Sequence, residues 1–240
     1  MSSIKPYNTD KSKKEEVAEM FDNISGNYDF LNHFLSFGID YTWRNKTVKM
    51  VKDSGAKLVL DVATGTGDMA IKLVESGIEK VNGVDISEGM LNVGKEKVAK
   101  LGLQERITLQ VGDGENLPFP DNTFDAITIS FGIRNFENVP KGLSDLIRVL
   151  KPGGKLFILE FSKPRVFPVK QGYNFYSRYL LPLWGRLVSK DARAYTYLPE
   201  SVEAFPDGQD FLNLMNNAGF KETKQRQLTF GISSIYSGQK

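Results

Sequence analysis

Apolar positions in the first fifty residues recur at helical spacing. Val17, Met20, Phe21 and Ile24 come first, then Tyr28, Leu31, Phe34 and Leu35, then Trp43, Val48 and Val51. Side chains three and four residues apart share one face of a helix, so the spacing predicts amphipathic helices from Glu15 to about Ser54. From residue 57 the rhythm changes to short, nearly unbroken apolar runs. KLVLDVA (57–63), KVNGVDI (80–86), RITLQVGD (106–113), FDAITIS (124–130) and KLFILEF (155–161) alternate with helical patterns at 68–76, 87–101 and 139–150. Strands that carry continuous apolar runs are buried on both faces, and strand–helix alternation places them in a parallel sheet. Pro152-Gly153-Gly154 is the turn expected between the 139–150 helix and the 155–161 strand.

After Glu160 the alternation stops. Residues 164–206 are aromatic and basic and read as an insertion, not as a further strand–helix unit. A helix over 208–218 then ends at Gly219. Two short strands near 221–227 and 229–236 follow with no room for a crossover, so they should pair antiparallel. The expected fold is α/β: a Rossmann-like, mostly parallel seven-stranded sheet with an antiparallel C-terminal strand, N-terminal helices and an inserted helical and aromatic segment. Residues 1–14 read as a disordered lead-in, 15–240 as one domain, and 15–54 as a helical lid on it.

Composition narrows the chemistry by exclusion. The charge is +2, from 31 basic and 29 acidic residues, which is not the field of a nucleic-acid binder, so no nucleic-acid partner is expected. The absence of cysteine excludes disulfides, thiolate metal sites and cysteine nucleophiles, including the covalent route to cytosine C5 methylation. The polar start has no signal-like apolar core, and no run reaches the ~18 apolar residues of a spanning helix. A soluble, cytoplasmic protein is the expectation.

The first strand runs into Thr64-Gly65-Thr66-Gly67-Asp68 at the start of a helix. Two glycines let backbone approach a ligand closely, and a helix N-terminus offers unpaired N–H groups. Gly65-x-Gly67-x-x-Ala70 also satisfies a dinucleotide fingerprint, which keeps a dehydrogenase open. Asp85, ending the second strand, can accept both hydroxyls of a ribose under either reading. The third strand separates them: Gly112-Asp113-Gly114-Glu115 and then Leu117-Pro118-Phe119 put a carboxylate where an adenine amino group can be bound. Asp68 adds negative charge that suits a sulfonium better than a pyrophosphate. The Tyr-x-x-x-Lys pairs at Tyr7/Lys11 and Tyr236/Lys240 lie where no short-chain reductase would use them. S-adenosylmethionine is therefore the favoured cofactor and a class I methyltransferase the favoured fold. The plainer alternative is a ligand-free turn at Gly65 and Gly67, with Asp85 and Asp113 capping helices or ending loops.

Two stretches carry a closer resemblance. Tyr28-Asp29-x-Leu31-Asn32-x-x-Leu35-Ser36, with Asp40 and Trp43-Arg44, is one; Arg148-Val149-Leu150-Lys151-Pro152-Gly153-Gly154 through Glu160-Phe161-Ser162 is the other. Pro118-Phe119-Pro120-Asp121 and Ser130-Phe131-Gly132-Ile133-Arg134-Asn135 add to them. From about Val17 onward the chain resembles the ubiquinone/menaquinone biosynthesis C-methyltransferase family. Two positions depart from the family pattern, which has Met at Leu31 and His at Asp40. The resemblance implies methylation of a ring carbon of a polyprenylated quinol, demethylmenaquinol to menaquinol first, with a benzoquinol or another small molecule as alternatives. It also implies cofactor contacts at Thr66, Asp85, Asp113, Gly114 and Ser130, beside the turn glycines Gly65 and Gly67.

Such a reaction needs no metal ligand. A ring carbon beside a hydroxyl becomes nucleophilic when that hydroxyl loses its proton, so alignment and one proton transfer carry the catalysis. Candidates on the lid and after the fourth strand are Tyr28, Asp29, His33, Arg134 and Asn135. Arg134 is the first choice to bind the quinol oxygen, with a surface salt bridge as its alternative; for His33, the only histidine, a packed or surface role is favoured. An isoprenoid tail gives the insertion a purpose. Phe167, Tyr173, Phe175, Tyr176, Tyr179, Leu180, Leu181, Leu183 and Trp184 interleave with Lys170, Arg178, Arg186 and Lys190, a pattern suited to peripheral contact with a membrane. Covering a sheet edge or forming a homodimer contact would explain the same residues. Ser130-Phe131-Gly132-Ile133 is not the Pro-Pro-aromatic motif of exocyclic-amine base methyltransferases.

Overall fold

The computed structural model describes residues 4–180 and 191–240. Three helices lead: α1 (Lys13–Ile24), α2 (Tyr28–Leu35) and α3 (Ile39–Asp53). Ser12 caps α1 by accepting from the backbone N–H of Glu15, while the Glu15 side chain accepts from that of Ser12. Ahead of it the expected disordered lead-in is corrected for residues 4–12. The buried Glu16 carboxylate accepts the backbone N–H groups of Tyr7, Asn8 and Thr9 at 2.7, 3.0 and 2.6 Å, which folds the segment back on α1.

The core alternates β1 (Leu58–Val62), α4 (Asp68–Glu75), β2 (Lys80–Asp85), α5 (Glu88–Lys100), β3 (Ile107–Val111), β4 (Phe124–Ser130), α6 (Val139–Val149) and β5 (Leu150–Phe161). The insertion holds α7 (Val169–Phe175), a π-helical turn (Tyr176–Leu180) and α8 (Ala192–Ala204). Then come α9 (Gln209–Asn217), β6 (Lys221–Leu228) and β7 (Ser233–Gln239). The sheet order is β3-β2-β1-β4-β5-β7-β6. Strands β1 to β5 pair parallel, and β7 lies antiparallel between β5 and β6, so the expected architecture is the observed one.

Both sheet faces are dry, as the unbroken apolar runs require. Leu60, Val62, Ile127, Ile129 and Ile158 pack with α6 and α9; Val59, Ala126 and Phe157 pack with α3, α4 and α5. Two boundaries differ from the sequence reading. Pro152-Gly153-Gly154 is a bulge inside β5: Phe124 pairs with Leu150 and Ala126 with Lys155, so the extra residues loop out of the ladder. The last strand starts at Ser233 because Thr229, Phe230 and Gly231 form a 3-10 turn with positive φ. Chain order runs outward from β1 to β3 and then returns to β4 on the other side of β1. That reversal opens a crevice at the carboxyl ends of β1 and β4, where open α/β sheets bind ligands.

Candidate active site

The crevice is built by four strand ends and roofed by the lid. Asp61, fully buried in β1, accepts the hydroxyls of Thr64 and Thr128, each at 2.6 Å, and so ties the glycine-rich turn to β4. Burial pushes its carboxyl up to about 6. In the turn, Ala63, Gly65 and Gly67 all have positive φ. Asp85 accepts the Gly65 N–H at 2.8 Å and the Ser87 N–H at 2.9 Å, and burial raises its pKa as well. Asp85 caps no helix, since Ser87 is the N-cap of α5; its bonds hold the turn and the loop together, and the residue lines the crevice.

Gly65, Asp85, Asp113, Gly114, Ser130 and Asn135 all face this cleft. Thr66 and Gly67 do not: Gly67 is the left-handed N-cap of α4, and the Thr66 hydroxyl lies 2.5 Å from Asp29. One observation fits an adenosyl ligand: the Ser130 hydroxyl is buried against the cleft with no hydrogen-bond partner. Gly114 is fixed as glycine by packing, since a Cβ there would come within 2.4 Å of Phe136 and 2.9 Å of Val62. The cleft is narrow, about 60 Å³, because Lys14, Val17, Phe21 and Tyr28 press on it from the lid.

Polar contacts latch that lid. Lys14 ion-pairs with Asp113, and Asp22 accepts the Ser87 hydroxyl at 2.6 Å and the Gly89 N–H at 2.9 Å. Lys97 bonds Asp29 at 2.9 Å and also pairs with Asp68. Two readings change as a result. Asp29 is a latch between lid and turn and lines neither cavity. Asp68, outside the cleft wall and neutralised by Lys97, is not the charge that would select a sulfonium.

Beyond Phe21, Tyr28 and Phe131, which line both spaces, a second cavity of about 650 Å³ opens. Its wall is largely apolar and comes from the lid, the β4 and β5 ends and the insertion, including Leu35, Trp43, Phe161, Tyr173, Tyr176 and Leu198. Leu181, Leu183, Trp184, Arg186 and Lys190 lie outside the described residues. Arg134 reaches this wall from a short 3-10 turn after β4. It is buried rather than in a surface bridge: it pairs with the fully buried Glu160 at 2.8 Å, donates to the Phe131 carbonyl and packs over the Phe161 ring. Burial raises the Glu160 carboxyl, and the guanidinium opposes that shift. Asn135 accepts the Tyr197 hydroxyl at 3.1 Å. Burial pushes the Tyr28 phenol up, while Arg44 and Arg134 pull it down.

Sequence reasoning missed Lys14, hidden in the supposed lead-in, and Asp22 and Lys97, whose partners lie far away in sequence. Asp40 was visible only as a departure from a pattern.

The model of the ubiE/COQ5 methyltransferase family matches residues 9–240. A demethylmenaquinone methyltransferase of Bacteroides fragilis is 51% identical over 99% of this chain and 97% of its own. A ubiquinone/menaquinone biosynthesis C-methyltransferase of Geobacter sulfurreducens is 48% identical over 95% of this chain and 90% of its own. Among solved structures, a SAM-dependent methyltransferase from Thermotoga maritima superposes with a TM-score of 0.64 at 20% identity, covering 92% of this chain and 98% of that one, a likeness of fold.

Proposed function

Because this chain belongs to the ubiE/COQ5 methyltransferase family, we propose that it methylates a ring carbon of a polyprenylated quinol, with demethylmenaquinol as the substrate. The observation that carries the substrate class is the 650 Å³ apolar cavity opening off a polar cleft through Phe21, Tyr28 and Phe131. It falls within the roughly 300–1,000 Å³ of ordinary small-molecule sites and suits a ring with an isoprenoid tail.

S-adenosylmethionine, when bound, supplies an electrophilic methyl group. Asp85 is suited to its ribose hydroxyls, Asp113 to its adenine amino group and Ser130 to one further polar contact. Tyr28 and Phe131 would hold the ring at the junction of the two spaces and keep water from it. Arg134, already charge-balanced by Glu160, would receive a quinol oxygen and stabilise the phenolate as it forms. Since the cleft is smaller than its cofactor, the Lys14 and Asp29 latches open for exchange. The relatives' names support the naphthoquinol as acceptor.

Among the described residues no helix is long and apolar enough to cross a membrane. Phe30, Phe37, Phe167, Phe175 and Tyr179 are exposed, and Phe37 meets Tyr176 beside the cavity wall. These exposed aromatic residues are the part we assign to contact with the lipid surface that carries the substrate.

The test is methyl transfer from labelled donor to demethylmenaquinol and demethoxybenzoquinol analogues, kept reduced and offered both with short tails and in anionic vesicles. Turnover of the naphthoquinol with co-sedimentation of the protein is expected. Turnover of neither quinol would sink the assignment; benzoquinol alone would redirect it; turnover without sedimentation would remove only the lipid contact.

A further inference from the structure

The large cavity has one carboxylate in its wall among the described residues, and it is Asp40. The turn between α2 and α3, with Phe37 and Gly38 at positive φ, folds the helices so that His33 faces Asp40. His33 Nδ1 lies 2.8 Å from Asp40 Oδ2. The Ser36 hydroxyl donates to Oδ1 at 2.7 Å and Arg44 Nε approaches Oδ2 at 3.4 Å. On the other side of the imidazole, Nε2 is 3.5 Å from Asp68, and the ring stacks on Tyr41 at 4.2 Å.

With Nδ1 facing Asp40 and Nε2 facing Asp68, the His33 ring ties the cavity carboxylate to the start of α4, and Arg44 holds Asp40 from the next turn of α3. Oδ1 of Asp40 is bonded once, by Ser36, and keeps lone-pair capacity, and the residue lines the cavity. His33 itself lies behind the wall and reaches the cavity only through its contact with Asp40.

We propose that Asp40 takes the proton of the quinol hydroxyl and that His33 positions it. The inference rests on the quinol reading above. The O–H bond breaks, the proton passes to Asp40, and the oxygen's electron pair moves into the ring. The ring carbon bonds to the methyl carbon while the pair from the broken sulfur–carbon bond stays on sulfur. The hydrogen on that ring carbon leaves as a proton to water, and Asp40 returns its own proton to the oxygen. One proton is released per turnover, as the overall reaction requires. Asp40 takes and returns the proton, and Arg134 holds the charge left on the oxygen in between.

Three variants test this on the full chain with the short-tailed quinol. Asp40→Asn keeps the shape and one acceptor, and should lower kcat at least tenfold with donor affinity changed less than twofold. His33→Asp should fall similarly. The exchanged double variant His33→Asp/Asp40→His, which restores the pair in reverse, should recover to within about threefold of wild type, a coupling that a purely structural role for either residue would not produce. Full activity of Asp40→Asn, or a double variant no better than the worse single one, would overturn the proposal. Wild-type inactivity on every quinol would overturn both this proposal and the function it rests on, whereas normal wild-type turnover with unaffected variants overturns this proposal alone.

Discussion

The donor cleft and the acceptor cavity share three residues and little else. The cleft is made of turns at strand ends, where Gly65, Asp85, Asp113 and Gly114 are held by the sheet's register and by buried carboxylates. The cavity is made of side chains from the lid, the β4 and β5 ends and the insertion, with few polar groups. A site on strand ends inherits the sheet's rigidity and recognises polar atoms at fixed positions; a site between helices has volume and apolar area to offer. The difference predicts that donor binding and acceptor turnover can be damaged separately.

The largest separation should come from Asp85→Ala. Hydrogen bonds to a charged group contribute about 1.5–3 kcal/mol each, so losing two to a ribose should weaken S-adenosylmethionine binding roughly a hundredfold or more. Calorimetry reads this directly, and the quinol KM at saturating donor should move less than twofold. If both constants move together, the two compartments are not independent.

Asp61 tests how firmly the cleft is anchored. Its folded pKa, about 6, lies above the usual carboxylate value, so the fold favours the protonated form. Its stability contribution is therefore complete below about pH 4 and lost as pH rises through 6, on the order of 3 kcal/mol. Asp61→Asn should flatten that change. The wild-type minus variant difference in unfolding free energy, measured by denaturant titration from pH 4 to 7, should fall by about that amount. A constant difference would mean that the carboxyl titrates as it does in the unfolded chain.

The smallest effect falls on the acceptor side. Removing Arg134 alone would strand buried Glu160 at a cost of about 3–5 kcal/mol, so the informative variant is Arg134→Met/Glu160→Gln. Turnover should fall about tenfold with donor affinity nearly unchanged. Equal losses in both would make the pair a structural element.

The same contrast explains what could be read from the sequence. Strand-end turns are contiguous motifs, so Gly65, Asp85, Asp113 and Ser130 could be placed in order along the chain before their positions in space were known. Lid contacts are pairings across long sequence distances. Lys14 reaches Asp113 and Asp22 reaches Gly89, and neither lysine nor aspartate stands out on an exposed helix face. The parallel sheet was legible because burial on both faces leaves unbroken apolar runs. The Pro152-Gly153-Gly154 bulge was not, since the same residues also end helices. In the sequence His33 is a lone histidine among aromatic residues; its meaning depends on Asp40, which the turn at Phe37 and Gly38 brings to it.

Phe21 and Tyr28 belong to the walls of both spaces and to the lid that closes the cleft. A ligand that settles the lid over one compartment therefore shapes the other. Thermodynamic linkage makes this reciprocal: whatever factor the donor adds to quinol affinity, the quinol adds to donor affinity. Isotherms for each ligand, taken with and without the other, should close into one cycle.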